Sequence, residues 1–447
     1  MSQADLLNIL SDLITDAKKA GADAADAIVA DGTSVSVTYR LGKLEQLERS
    51  EGGDIGLRVL IGKRQAIVSS ADRSKEALKE LVARAVDMAR TVPEDPYCGI
   101  AEVSQLAKSL PTLDICDPAK VSAETLIEKV KACEAAARDV KGVTNSEGAS
   151  AGWGRSQVAI AASNGFARAY ETSGSSMSVS VIAGDSASGM ETDYDYTTAV
   201  YFADMKSPED VGRGAGERAV RKVGGRKISS RKVPVILDSR VARGVVSHLL
   251  GAINGSSVAR GTTFLKDAMG TDVFGPGINI FEDPHRNRGL RSKPCDAEGL
   301  ANKQRALIDN GKLTTWILDL RSARQLKLEP TGHAGRGTGS PPSPGTTNVW
   351  LEAGTLSPTE LMADIKEGLF VTDLVGQGVN GVTGDYSRGA VGFWIENGAL
   401  TYPVHEVTVA GNLKDMFKRL TPANDLELKY GMDAPSLRID GLTLAGM

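Results

Sequence analysis

The stretch Leu326–Glu352, LKLEPTGHAGRGTGSPPSPGTTNVWLE, divides the patterned segments of the second half of the chain. Seven glycines and prolines lie between Gly335 and Gly345, so neither a helix nor an extended ladder is expected to persist there. A strand-like run from Thr347 to Glu352 follows at once, which makes this a loop held at both ends. Long loops inside compact domains are functional or disordered. His333, one of four histidines, stands at its base. With nothing apolar between Gly335 and Gly345 to anchor it, the loop is expected to be mobile until a partner or substrate orders it.

Working outward, 447 residues exceed one ordinary core, and two domains are expected. A hydrophobic content of 41% and charged content of 24% describe a soluble globular chain. A net charge of −4 gives no general attraction for nucleic acid. No apolar run approaches the roughly 20 residues that span a bilayer. The first 21 residues read as an amphipathic helix without the basic start of a signal peptide. Cys98, Cys116, Cys133 and Cys295 show no paired spacing, so neither a disulfide framework nor a zinc ribbon is indicated. These features predict a cytoplasmic protein.

Helical periodicity marks Asp5–Ala20, Ser74–Arg90 and Ser122–Val140. Alternation marks Val35–Tyr39 and Ile55–Val68 as antiparallel strands. Asn164-Gly165 between Gln157–Ser163 and Phe166–Thr172 is a hairpin signal. Further strands are expected at Ser176–Ala183 and Thr197–Ala203. Ser207-Pro208-Glu209-Asp210 opens a capped helix. Eight basic residues lie between Arg213 and Lys232 against Glu217 alone, read as a solvated helix face and linker. The domain boundary is placed there, giving residues 1–225 and 226–447.

Beyond it, Val233–Leu237 reads as a strand whose Pro234 suggests a first or edge position. Ser239–Ala252 and Ser357–Glu367 read as helices, and Gly411–Arg419 as another. Most of the remainder is short strands, Thr314–Leu318 among them. The prediction is an α+β chain: helices with antiparallel strands first, a β-rich domain with few helices second.

A catalytic zinc needs three convergent ligands and an open position. His248, His285, His333 and His405 stand far apart, and His405-Glu406 has Val409 where a second histidine would sit. No G-x-S-x-G elbow, phosphate loop or dinucleotide fingerprint is present. The cluster Gly376–Gly392 sets Thr383, Asp385, Tyr386, Ser387 and Arg388 among glycines. It suits either main-chain binding of an extended peptide or a plain turn.

Several motifs together carry a resemblance. They include Gly261-Thr262-Thr263-Phe264, Asp296-Ala297-Glu298-Gly299, Ser322-Ala323-Arg324, Pro330-Thr331-Gly332-His333 and Thr346-Thr347-Asn348. The runs Gly376-Gln377-Gly378 through Arg388-Gly389 and Ala410-Gly411-Asn412-Leu413-Lys414-Asp415-Met416 extend it. The chain resembles the TldD/PmbA family, once called modulators of DNA gyrase, and within it the PmbA (TldE) branch. The resemblance implies a subunit of a cytosolic two-subunit zinc metallopeptidase acting on unfolded or extended peptides. Family roles include peptide-antibiotic maturation and antitoxin degradation.

In the family the TldD subunit carries a helical His-Glu-x-x-x-His motif and a C-terminal cysteine ligand. The corresponding positions here fall at Val246, Ser247, His248 and Gly251, and no cysteine follows Cys295. The resemblance therefore implies a subunit with no catalytic residues, metal or cofactor of its own, with zinc in a TldD-type partner. His333, Arg336, Arg324, Thr383, Asp385, Tyr386, Ser387 and Arg388 are the candidates for peptide or interface contact. A homodimer is open in isolation. The alternatives are an independent hydrolase built on His333 and Cys295, or a gyrase-associated binding protein.

Overall fold

The computed structural model describes residues 1–187 and 189–446. The N-terminal part comprises α1 (Gln3–Lys19), β1 (Ala24–Arg40), β2 (Lys43–Ile61), β3 (Arg64–Ser70), α2 (Lys75–Thr91), α3 (Ala123–Arg138), β4 (Val143–Ala162), β5 (Ala167–Asp185), β6 (Gly189–Ala199) and α4 (Pro208–Lys222). Each helix opens on a serine whose hydroxyl accepts a backbone N–H of the first turn: Ser2, Ser74, Ser122 and Ser207. The six strands form one antiparallel sheet in the order β3-β2-β1-β4-β5-β6.

The two helical pairs cover the same face of this sheet at opposite ends. Leu6 and Leu10 of α1 and Leu81 of α2 pack on Ala27, Ile55 and Leu57. Leu126 and Val130 of α3 and Val211 of α4 pack on Val35, Val37 and Val179. Leu6, Leu10, Leu57 and Leu126 are almost fully buried, each contributing about 1.5–3 kcal/mol. On the other face, Ile28, Ile160 and Phe166 meet Cys295 and Ala297 of the C-terminal part.

That part continues with β7 (Arg231–Leu237), α5 (Ser239–Ala252), α6 (Gly255–Ala259), β8 (Ile280–Asp283), β9 (Arg305–Asp309), β10 (Lys312–Leu313), α7 (Leu320–Leu326), β11 (Ala334–Gly335), β12 (Ser343–Pro344) and β13 (Asn348–Leu351). It closes with α8 (Pro358–Met362), β14 (Glu367–Val375), β15 (Asp385–Glu396), β16 (Ala399–Asn412), α9 (Leu413–Arg419), β17 (Leu420–Pro422), β18 (Met432–Asp433) and β19 (Leu437–Ala445). A six-stranded sheet runs β16-β15-β14-β7-β19-β17, and a five-stranded one runs β10-β9-β8-β13-β18. Val245, Val246 and Leu249 of α5 enter a core to which both sheets contribute. The architecture is mixed α+β.

Four local expectations are corrected. Pro234 lies in a central strand, between β14 and β19. A register shift in β19 between Ile439 and Leu442 falls opposite Val233–Val235, where the proline has no N–H to give. Helix α8 stops at Met362, and Glu367 begins a strand, because Leu369 and Val371 alternate into the core. The strand expected at Thr197–Ala203 ends at Ala199 and yields to a short 3-10 turn at Phe202–Asp204. Thr314–Leu318 is not a strand but a connection that buries Trp316, Ile317 and Leu318, with an isolated bridge between Asn254 and Ile317.

The loop 332–345 is also placed differently from the mobile segment expected. A two-residue ladder pairs Ala334 with Pro344 and Gly335 with Ser343. Between them the chain leans on the N-terminal sheet, so that a Cβ added at Gly56 would stand 2.0 Å from the Thr338 carbonyl oxygen. The anchor is polar. The Arg336 side chain, fully buried, pairs with Asp26 of β1, which Arg58 of β2 also holds at 2.9 Å through Nε. Burial alone would push the Asp26 carboxyl up, but Arg336 and Arg58 outweigh it and hold it below the ordinary carboxylate range.

Glu298 faces the same seam, where its carboxylate accepts the Leu320 N–H at 2.8 Å. Burial and the neighbouring Asp296 push the Glu298 carboxyl up to about 8. An unfolded glutamate ionises near about 4.3. The folded chain therefore loses stability from this group as pH rises from that value toward about 8. Asp26 acts oppositely, and its contribution is lost only as pH falls below about 4.

Two measurements check this seam. Gly56→Ala is expected to lower unfolding stability by about 1–3 kcal/mol through overpacking, whereas Gly52→Ala, which meets nothing within 4 Å, stays within about 0.5 kcal/mol. In denaturant unfolding from pH 5 to 8, Glu298→Gln is expected to flatten a decline of about 1 kcal/mol per pH unit. Parallel pH profiles for the two proteins would exclude the buried acid as the cause.

Candidate functional site

The structure divides the candidate residues between two places. Arg336 and Arg324 lie along the seam between the two parts of the chain, and His333 lies inside the C-terminal part at the base of the same loop. His333 is 3% exposed. Its Nε2 lies 2.5 Å from Glu282 Oε2 and its Nδ1 2.7 Å from Thr331 Oγ1. The other Glu282 oxygen accepts the N–H and hydroxyl of Thr347, at 2.7 and 2.8 Å. Burial resists ionisation of Glu282, but hydrogen bonds from His333 and Thr347 hold its carboxyl below the usual range. Hydroxyl, imidazole and carboxylate are thus in line, yet Glu282 is 2% exposed and Thr331 Oγ1 also bonds the backbone of Leu318. The line binds β8, β13 and the glycine-rich loop together.

Arg324 bonds the carbonyls of Tyr97 at 3.2 Å and Ile100 at 2.7 Å, pinning the irregular segment after α2 onto α7. Cys295 is buried, and burial with Asp296 beside it pushes its thiol up to about 12, away from nucleophilic use.

The second place brings α5 and β15 together. Val246 is buried in the core, whereas Ser247 and Gly251 are exposed and His248 is half-buried. The His248 ring meets Tyr386 edge-on at 5.9 Å. Burial and the nearby Arg388 both depress its basicity. Arg388 donates to the Leu374 carbonyl at 3.1 Å, and its Nε has no partner among the described residues. Thr383 donates to Asp385 at 2.6 Å, and Asn412 does so at 3.1 Å. Those two hydrogen bonds lower the Asp385 carboxyl and tie the loop before β15 to the start of α9. The Ser387 N–H bonds the Gly378 carbonyl at 2.7 Å.

This face offers hydrogen-bond donors and a cation. The metal that the family resemblance implies needs convergent anionic or neutral ligands. His248 has an arginine and a tyrosine as neighbours, so these residues do not fit zinc. His285 is bonded to Asn302 at 2.8 Å and His405 to Glu191 at 2.9 Å. Among the described residues no three His, Cys, Asp or Glu side chains converge as a metal site would require.

Sequence reasoning missed Glu282, the partner of His333, and the seam residues Asp26, Arg58 and Glu298. The acids of Asp296-Ala297-Glu298-Gly299 were visible as a motif, but their burial was not. His333→Ala is expected to cost about 3 kcal/mol or more, because it leaves the Glu282 carboxylate buried and under-bonded. His333→Gln, which retains a donor, is expected to lose clearly less in the same unfolding measurement.

Comparison with known proteins bears on the whole chain. Residues 230–446 match the PmbA/TldA metallopeptidase C-terminal domain, 116–223 its central domain and 25–89 its domain 1. The chain is 39% identical to "Metalloprotease PmbA" of Escherichia coli O157:H7, over 95% of this chain and 92% of that one. It is 36% identical to the "Metalloprotease PmbA homolog" of Haemophilus influenzae, over 99% and 97%.

Among solved structures, a Bacteroides thetaiotaomicron protein named for modulation of DNA gyrase superposes with a TM-score of 0.91 at 26% identity, covering 98% of each chain. TldE of Thermococcus kodakarensis shares the fold, with a TM-score of 0.87 at 20% identity, over 98% and 100% of the two chains. These matches, with the architecture above, place the chain in the PmbA/TldD metallopeptidase family.

Proposed function

We propose that this chain is the non-catalytic, PmbA/TldE-type subunit of a two-subunit cytosolic peptidase whose zinc and catalytic residues belong to a TldD-type partner. The observation that carries the reading is the environment of His248. On the helix where the family resemblance calls for paired histidines and a glutamate, this chain sets one histidine against Arg388. An arginine there disfavours a bound cation and suits a carbonyl or carboxylate oxygen. The exposed edge of α5 at Ser247 and Gly251, with the half-buried Arg388 beside it and Tyr386 buried beneath, then serves to hold extended peptide or the partner's chain near the partner's metal. No described helix is long and apolar enough to cross a membrane. The net charge of −4 gives no support to direct nucleic-acid binding.

The hydrolase reading built on His333 and Cys295 finds no support in a buried imidazole and a buried thiol. The test is elemental analysis and a peptidase assay with an unstructured peptide, on this chain alone and mixed with a TldD-type subunit. The expected outcome is well under one zinc per chain, no cleavage alone, and cleavage with the partner. About one tightly held zinc in the isolated chain, or cleavage by it alone, would overturn the reading.

A further inference from the structure

The two helical pairs on the N-terminal sheet leave a bare strip between them, and a cleft of about 750 Å³ opens there. Its floor is small: Gly32 of β1 and Gly52 and Gly53 of β2. Three helices begin at its rim. Met1 precedes the cap of α1, Arg73 the cap of α2, and Lys120 and Val121 the cap of α3. Each helix has 16 or 17 residues, long enough for its N-terminus to present a real partial positive charge. The first-turn acids Asp5, Glu76 and Glu124 offset part of that field.

The charged side chains of the wall decide its sign. Asp31 is taken up by Arg73, and Glu171 by Arg155. Arg49 and Lys120 remain against Glu51, both cations exposed to the cleft. A separate observation points the same way. Trp153, on the cleft wall and only 7% exposed, has an indole N–H with no acceptor among the described residues. The Nε–H of Arg73 also lacks one among them. Both groups can only donate. Buried donors left unmet beside a wide polar cleft are what an oxygen-rich anion would satisfy.

We propose that this cleft binds a small organic anion, held through phosphate or carboxylate oxygens by Arg49, Lys120 and the Trp153 N–H. The volume falls in the range of small-molecule sites. The site lies on the N-terminal sheet, apart from the α5 face, and needs no peptidase partner to be tested. Failure here would therefore leave the proposed function untouched.

The experiment is calorimetric titration of the full chain at low salt with inorganic phosphate, with citrate, and with glycerol as a neutral control. Saturable binding of at least one anion is expected, with Kd below about 1 mM, and none of glycerol. Which anion binds identifies the head group. The double substitution Arg49→Ala/Lys120→Ala, at exposed positions, is expected to weaken binding at least about tenfold with thermal stability preserved. Trp153→Phe should weaken the same ligand. Absence of saturable binding by both anions, or binding indifferent to both variants, would overturn the proposal.

Discussion

A buried carboxylate between two arginines holds this molecule together. Asp26 belongs to the first strand of the N-terminal sheet, Arg58 to the second, and Arg336 to the glycine-rich loop of the C-terminal part. Removing Asp26 leaves two arginines away from water without their counter-ion, the circumstance in which a buried ion pair matters most, whereas removing either arginine leaves the carboxylate with one partner. The loop's composition follows from this position. Its glycines allow the backbone to lie directly on Gly56, and the arginine supplies the attachment that its missing apolar residues cannot. A second ionic junction works alongside. Asp193 of β6 pairs with Lys222 at 2.7 Å and with Arg240 of α5 at 3.1 Å, and Lys222 reaches Asp373 of β14 at 2.6 Å.

Those junctions fix α5 against the N-terminal sheet and so orient its exposed edge. Arg243 lies over the Tyr430 ring at 5.1 Å and donates to the Tyr196 hydroxyl at 2.6 Å, so aromatic and cationic groups from both parts converge beside this helix. A helix that in a zinc peptidase would carry ligands here carries arginine contacts. The Arg388 guanidinium on this face suits an oxygen acceptor, and it is the feature on which the proposed role of a positioning subunit rests.

How much was legible follows from the physics of each signal. The four long N-terminal helices were readable because serine caps and 3.6-residue periodicity are local. The Asn164-Gly165 hairpin was readable because turn chemistry is local too. Strand β14 was not: Glu367–Val375 follows a true helix start at Ser357, and only pairing with β7 and β15 makes it extended. Pro234 misled because the bulge that accommodates it lies some two hundred residues away, in β19.

At the sites, the sequence marked His333, Arg336 and the Thr383–Arg388 run. It gave no means of telling a seam from an open surface, since their partners Glu282 and Asp26 are distant in the chain. The glycine-rich loop is an anchor between the two parts of the chain, attached through Asp26 and Arg336. A double-mutant cycle on unfolding stability, with Asp26→Asn, Arg336→Met and the pair, tests it most directly. A coupling energy above about 1 kcal/mol between the two residues is expected. Effects that simply add, within about 0.5 kcal/mol, would contradict it.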